Sequence, residues 1–180
     1  ASKNNDKVGC ILFSDRIEKF IPPKKGRSHI LTIIRELVGF EPIGTGTNIS
    51  EALRYLVGVN KKRTTSFLLS DMINSEGDMS RLEDALKIAT SKHDIMAVRV
   101  YDERECELPD VGIIEMRDAE TGRDMWLDTS SQRVRKMWSE TYEERREAVR
   151  TLLSHNRVDM AEVATDKDYV VELLKMFKQR

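Results

Sequence analysis

Thr64-Thr-Ser-Phe-Leu-Leu-Ser-Asp71 is the stretch on which the fold turns. A β-branched and apolar run that ends in a carboxylate reads as a buried strand delivering Asp71 to its own carboxyl end. Helical patterns flank it on both sides. Upstream, Asn48 opens a helix with Ile49, Ala52, Leu53 and Leu56 on one face, and Glu51 is placed to complete a capping box. Lys61-Lys-Arg63 closes that helix with cations, which suit a helix C-terminus. Downstream, Leu82, Ala85, Leu86 and Ala89 mark an amphipathic helix, and Asp94 to Tyr101 is a second apolar strand. Alternation of apolar strands with helices is the signature of a parallel α/β sheet.

Further out, Val8 to Phe13 and Ile17 to Ile21 read as two strands around Ser14-Asp15-Arg16, closed by Pro22-Pro23. A helix follows from Ser28, burying Ile30, Ile34, Leu37 and Val38 and stopping at Gly39. On the C-terminal side, Ile113 to Met116 and Arg123 to Leu127 flank Asp118-Ala-Glu-Thr-Gly122 as a hairpin. A long helix spans roughly 131–153 with Val134, Met137, Trp138, Ala148, Val149 and Leu152 as its apolar positions; a strand over 158–163 and a helix over 169–177 complete the chain. No repeat, low-complexity tract or linker divides it, so residues 1–180 read as one domain.

Composition narrows the function classes. The chain has 180 residues, 39% hydrophobic and 34% charged, with a formal net charge of -1. That balance offers no overall attraction to nucleic acid or to anionic lipid, and neither is expected as a partner. No apolar run reaches the roughly 18 residues of a membrane span. Ala1-Ser-Lys-Asn-Asn-Asp is not the start of a signal peptide. Cys10 and Cys106 form no disulfide framework, and Cys10 reads as a small buried thiol, so a reducing cytoplasm is the expected location.

In open α/β sheets, ligands gather beyond the carboxyl ends of the strands. Gly44-Thr-Gly-Thr-Asn48 and Leu68-Leu-Ser-Asp71 should converge there. Thr47 supplies a hydroxyl and Asp71 a hard anionic oxygen, ligand types that Mg²⁺ accepts alongside water. The same residues also have a purely structural reading, in which Thr47 or Asn48 caps the helix and Asp71 caps the next segment. The glycine loop lacks the ending of a phosphate loop and the spacing of a dinucleotide fingerprint. His29, His93 and His155 have no metal-ligand spacing and read as surface or capping residues. Lys24-Lys-Gly-Arg27 reads as a solvated basic turn, 140–150 as a salt-bridged helix face, and Trp126 and Trp138 as packing residues.

Gly46-Thr47-Asn48-Ile49 leading into Ala52-Leu53, followed by Phe67-Leu-Leu-Ser-Asp71, resembles the second half of a von Willebrand factor A-type domain. More narrowly, the chain is similar to a bacterial family of unknown function whose genes neighbour MoxR-type AAA+ ATPases. The segments that carry this are Phe13-Ser-Asp15 with Pro22-Pro23-Lys-Lys-Gly-Arg27, Tyr101-Asp-Glu-Arg-Glu105 with Glu107-Leu-Pro-Asp-Val-Gly112, Asp118-Ala-Glu-Thr-Gly122, and Ala164-Thr-Asp166 with the Tyr169 helix. The resemblance implies a Rossmann-like three-layer α/β fold with a mostly parallel sheet and an added C-terminal hairpin.

The resemblance further implies a metal-ion-dependent adhesion site, in which Thr47 and Asp71 match two ligands and Ser70 and Asn48 lie nearby. Its Asp-x-Ser-x-Ser motif is absent, as are the first, central strand and most of the first helix. No tightly bound metal is therefore expected here, and Mg²⁺ would belong to the intact parent. Without that strand, Val8–Phe13 and Thr64–Ser70 would each present an open edge. Direct pairing of the two, a strand from another chain, or a homodimer through that edge would close it. The expected function is a non-enzymatic protein-interaction module working with a MoxR-type AAA+ ATPase. The alternatives are a Mg²⁺-dependent phosphoryl hydrolase using Asp71 and an inert scaffold; no clustered nucleophile, second carboxylate and cation supports the former.

Overall fold

The computed structural model describes residues 6–73, 79–117 and 124–178. Strands β1 (Val8–Phe13) and β2 (Ile17–Lys24) form an antiparallel pair, followed by helices α1 (Arg27–Val38) and α2 (Ile49–Val59). Strand β3 (Thr65–Ser70), helix α3 (Met79–Lys92) and strand β4 (Asp94–Tyr101) form a parallel β-α-β unit. A short helix α4 (Glu103–Cys106) leads into β5 (Ile113–Arg117) and β6 (Asp124–Asp128), an antiparallel hairpin. The long helix α5 (Gln132–His155), strand β7 (Asp159–Ala164) and helix α6 (Tyr169–Lys178) end the chain. The hairpin lies between β4 and α5, where the sequence reading put it, and the turn at 118–122 lies outside the described residues.

The parallel sheet has the order β3-β4-β7. Its alternating side chains build two cores, because successive residues of a strand point to opposite faces. On one face Leu68, Ile95 and Ala97 join Ile49 and Leu53 of α2, Leu82, Ala85, Leu86 and Ala89 of α3, and Leu153 of α5. On the other, Met96 and Ala161 pack against Met176 and Leu173 of α6. Helices therefore cover both faces in a Rossmann-like three-layer α/β arrangement. Among the described residues, no helix is long and apolar enough to cross a membrane.

Several expectations need correction. β3 is an edge strand: Leu68 is buried, but Phe67 and Leu69 are 45% and 61% exposed. Among the described residues, β1 pairs only with β2 and β3 only with β4, so the direct β1–β3 seam does not form. Helix α1 buries Ile33 and half-buries Ile30, while Ile34, Leu37 and Val38 face solvent. Lys61-Lys-Arg63 lies beyond the C-cap Asn60 of α2. On α5, Met137 and Ala148 are exposed, and so is Trp126 on β6. Cys10 is only half-buried, and desolvation raises its thiol pKa. His93 is a core residue, 2% exposed, with Nδ1 3.1 Å from the Thr64 hydroxyl.

Candidate functional site

The loop before α2 is bound to the β1–β2 turn. Glu18 Oε1 accepts from the Gly44 amide at 2.8 Å, the Ile43 amide at 3.1 Å and the Ser14 hydroxyl at 2.6 Å. The Ser14 hydroxyl and then the Gly44 amide hold the Glu18 carboxyl below its ordinary pKa. The Asn48 amide donates to the Ser14 carbonyl at 2.8 Å. Gly44 is required by this approach, since a Cβ there would stand 2.1 Å from Asp15 Oδ1 and 2.2 Å from Ser14 Oγ. Thr47 is the last residue before the cap, and Asn48 Oδ1 accepts from the Glu51 amide at 2.9 Å. Asn48 therefore caps α2, the structural half of the dual reading.

Asp71 leaves the end of β3 into a tight turn. Its Oδ1 accepts from the Ile73 amide at 3.0 Å and from the Ser70 hydroxyl at 3.2 Å, and Ser70 Oγ accepts from the Met72 amide at 3.0 Å. Met72 has φ 64°, a left-handed value uncommon outside glycine, and its side chain is buried. Core packing overrides the backbone preference at that position. Ile49, next to the α2 cap, and Met72, next to Asp71, belong to one buried cluster. That cluster anchors both the α2 N-terminus and the end of β3.

The donor set does not fit a resident metal. Among the described residues, no three His, Cys, Asp or Glu side chains gather to hold an ion. One hydroxyl and one carboxylate, the latter already accepting two hydrogen bonds, would leave most of the octahedral positions of Mg²⁺ to water.

A second feature was missed by sequence reasoning. Ser70, Arg99 and Glu162 are register partners across β3, β4 and β7, so they form a polar row at the carboxyl ends of the parallel strands. Arg99 is 6% exposed, and its guanidinium donates to Glu162 Oε1 at 3.0 Å and to the Tyr142 hydroxyl at 2.8 Å. It also stands over the Tyr142 and Tyr101 rings, 5.1 and 5.4 Å from their centroids. Arg146 of α5 closes the row from above through Glu162 Oε2 at 2.6 Å and Nε to Oε1 at 2.9 Å.

Arg146, and then Arg99, hold the Glu162 carboxyl below its usual range. Burial, reinforced by the Cys106 thiol, pushes the Tyr142 phenol up to about 12. Glu162 is spent as a counter-ion and Tyr142 stays neutral, so neither is poised as a base near pH 7. Beside them is a cavity of about 350 Å³ whose lining includes Met72, Val134, Met137, Trp138 and Val149 together with Asp71, Arg99 and Tyr142. The overlooked signal was a charged Arg99 inside the otherwise apolar Ile95–Val100 run.

The model of the family described as "Protein of unknown function DUF58" matches residues 1–148. An uncharacterized protein of Mycobacterium bovis is 22% identical over 183 aligned residues, which cover 99% of this chain and 56% of that protein. The chain thus spans little more than half the length of that relative. An uncharacterized protein of Mycobacterium avium is 24% identical over 164 residues, covering 89% of this chain and 93% of its own length. The crystal structure of the conserved hypothetical protein BatB from Bacteroides thetaiotaomicron superposes with a TM-score of 0.56 at 18% identity. That superposition covers 97% of this chain and 80% of BatB, and it bears on the fold alone.

Proposed function

The chain belongs to the DUF58 family, and from that premise we propose that it is a non-enzymatic protein-interaction module of von Willebrand A type. Its docking rim is the carboxyl end of the sheet, and Ile49 and Met72, the chain neighbours of Asn48 and Asp71, share one buried cluster. This shared anchoring is the observation that carries the reading. A loop pinned by Glu18 and a turn pinned by Met72 present Thr47 and Asp71 on rigid supports, as a recognition surface requires. Glu162, held as a counter-ion, and Tyr142, held neutral, are not poised as bases, which favours binding over turnover. The resemblance to proteins encoded beside MoxR-type AAA+ ATPases supplies the partner, and Thr47 and Asp71 act as remnants of an adhesion site. Were Mg²⁺ bound in a longer form of the protein, Thr47 and Asp71 would hold it beside ligands from elsewhere and would supply only part of its shell.

The test is affinity of the full-length protein for the neighbouring AAA+ ATPase, with and without chelator. Asp71→Ala should weaken binding about tenfold or more, the loss typical of a central contact. Unchanged affinity would remove Asp71 from the interface. A phosphatase screen with Mg²⁺ should give no turnover, and Asp71-dependent hydrolysis would replace the binding module with an enzyme.

A further inference from the structure

Helix α1 exposes Leu31, Ile34, Leu37 and Val38 at 52%, 50%, 50% and 84%. Arg27, Leu31, Ile34 and Val38 recur at i, i+4, i+7 and i+11 and so share one face, while Ile33 lies at the buried edge of the apolar arc. Four large exposed hydrophobic side chains on one short helix are more than scattered surface residues. Basic residues cluster where the chain enters this helix. Lys24, Lys25 and Arg27 are all exposed, and none of them makes an ion pair within the described residues. Glu36, nearer the other end of α1, is bound to Lys19 at 2.5 Å. The net charge of -1 conceals this local excess.

We propose that the α1 face is a membrane-surface docking site: Leu31, Ile34, Leu37 and Val38 enter the interface of an anionic bilayer, and Lys24, Lys25 and Arg27 meet its headgroups. An apolar face with cations at its margin is the chemistry of an interfacial helix, because the cations bind headgroups while the stripe leaves water. Long Lys and Arg stems can lie along the apolar surface with their charges at the phosphates. A second copy packed parallel on this face would bring the same cations against one another, and an antiparallel copy would leave them unmatched. This docking is independent of the proposed rim, which α1 does not form.

Co-sedimentation of the protein with phosphatidylcholine vesicles, with and without phosphatidylserine, tests the proposal. Binding should require phosphatidylserine and fall with added salt, as polybasic attraction does. Each basic residue near an anionic surface contributes about fivefold, so the triple variant K24Q/K25Q/R27Q should lose roughly a hundredfold in partitioning. Leu31→Ser with Val38→Ser should lose binding separately, with an unchanged circular dichroism spectrum because both sites are exposed. No partitioning onto phosphatidylserine vesicles, or partitioning that both variants retain, would overturn the proposal. So would sedimentation equilibrium showing a dimer that L31S/V38S dissociates, with no lipid binding.

Discussion

Replacing Glu162 by Gln probes the polar row that crosses the strand ends. Its carboxylate receives Arg99 at 3.0 Å and Arg146 at 2.6 Å, with the Arg99 and Glu162 side chains 8% and 19% exposed. Removing its charge leaves Arg99 buried with no carboxylate, whereas Arg146 keeps Glu143 at 3.1 Å. Breaking a buried pair from one side costs about 3–5 kcal/mol. The lower end, about 3 kcal/mol, applies because the Gln oxygen still accepts a hydrogen bond. For a domain of this size that lowers the melting temperature by roughly 6–12 °C.

Arg146→Gln should cost only about 1 kcal/mol, because that side chain is about a third exposed and Glu162 keeps Arg99. Thermal and urea unfolding followed by circular dichroism measure both. The pH dependence follows from the depressed Glu162 pKa. Its contribution is complete above the ordinary carboxyl value of 4.5 and is lost as pH falls through the folded-state value, so the gap between wild type and Glu162→Gln should close on acidification. A loss below about 1 kcal/mol for Glu162→Gln, or an equal loss for Arg146→Gln, would show that Glu162 does not balance a buried cation.

Two other predictions concern stability. Asn48→Ala removes the acceptor of the Glu51 amide and should cost about 1 kcal/mol, or roughly 2–4 °C in melting temperature. His93 is buried with Nε2 unpartnered among the described residues, and desolvation lowers its pKa from 6.5. The unfolded chain therefore binds a proton first, and stability should decline as pH drops below 6.5; a pH series of melting curves should show that slope reduced in His93→Gln.

Much of the sheet was legible because its sequence signals were local. The run from Asp94 to Tyr101 is bounded as expected, and all four predicted core positions of α3 are buried. Asn48 and Glu51 announce the start of α2 by capping chemistry alone. The failures lie where tertiary neighbours decide. The periodicity of α1 defines an apolar arc but not which edge of it is covered, so Ile33 rather than Ile34 is buried. The apolar run of β3 does not reveal that its sheet position is an edge. Arg99 escaped notice because its partners, Glu162 and Tyr142, lie 63 and 43 residues away and only the fold brings them together. Thr47 and Asp71 were placed by spacing and resemblance, and the structure adds the supports that hold each.

A partner docked on the proposed rim would cover the loop before α2 and the turn after β3. Hydrogen–deuterium exchange of the full-length protein, alone and with the proposed MoxR-type AAA+ ATPase, measures this directly. Partner binding at the rim should protect the amides from Gly44 to Glu51 and from Ser70 to Ile73, with the β5–β6 hairpin and α6 unchanged. Protection confined to the hairpin or α6, with both rim segments exchanging as in the free protein, would contradict it.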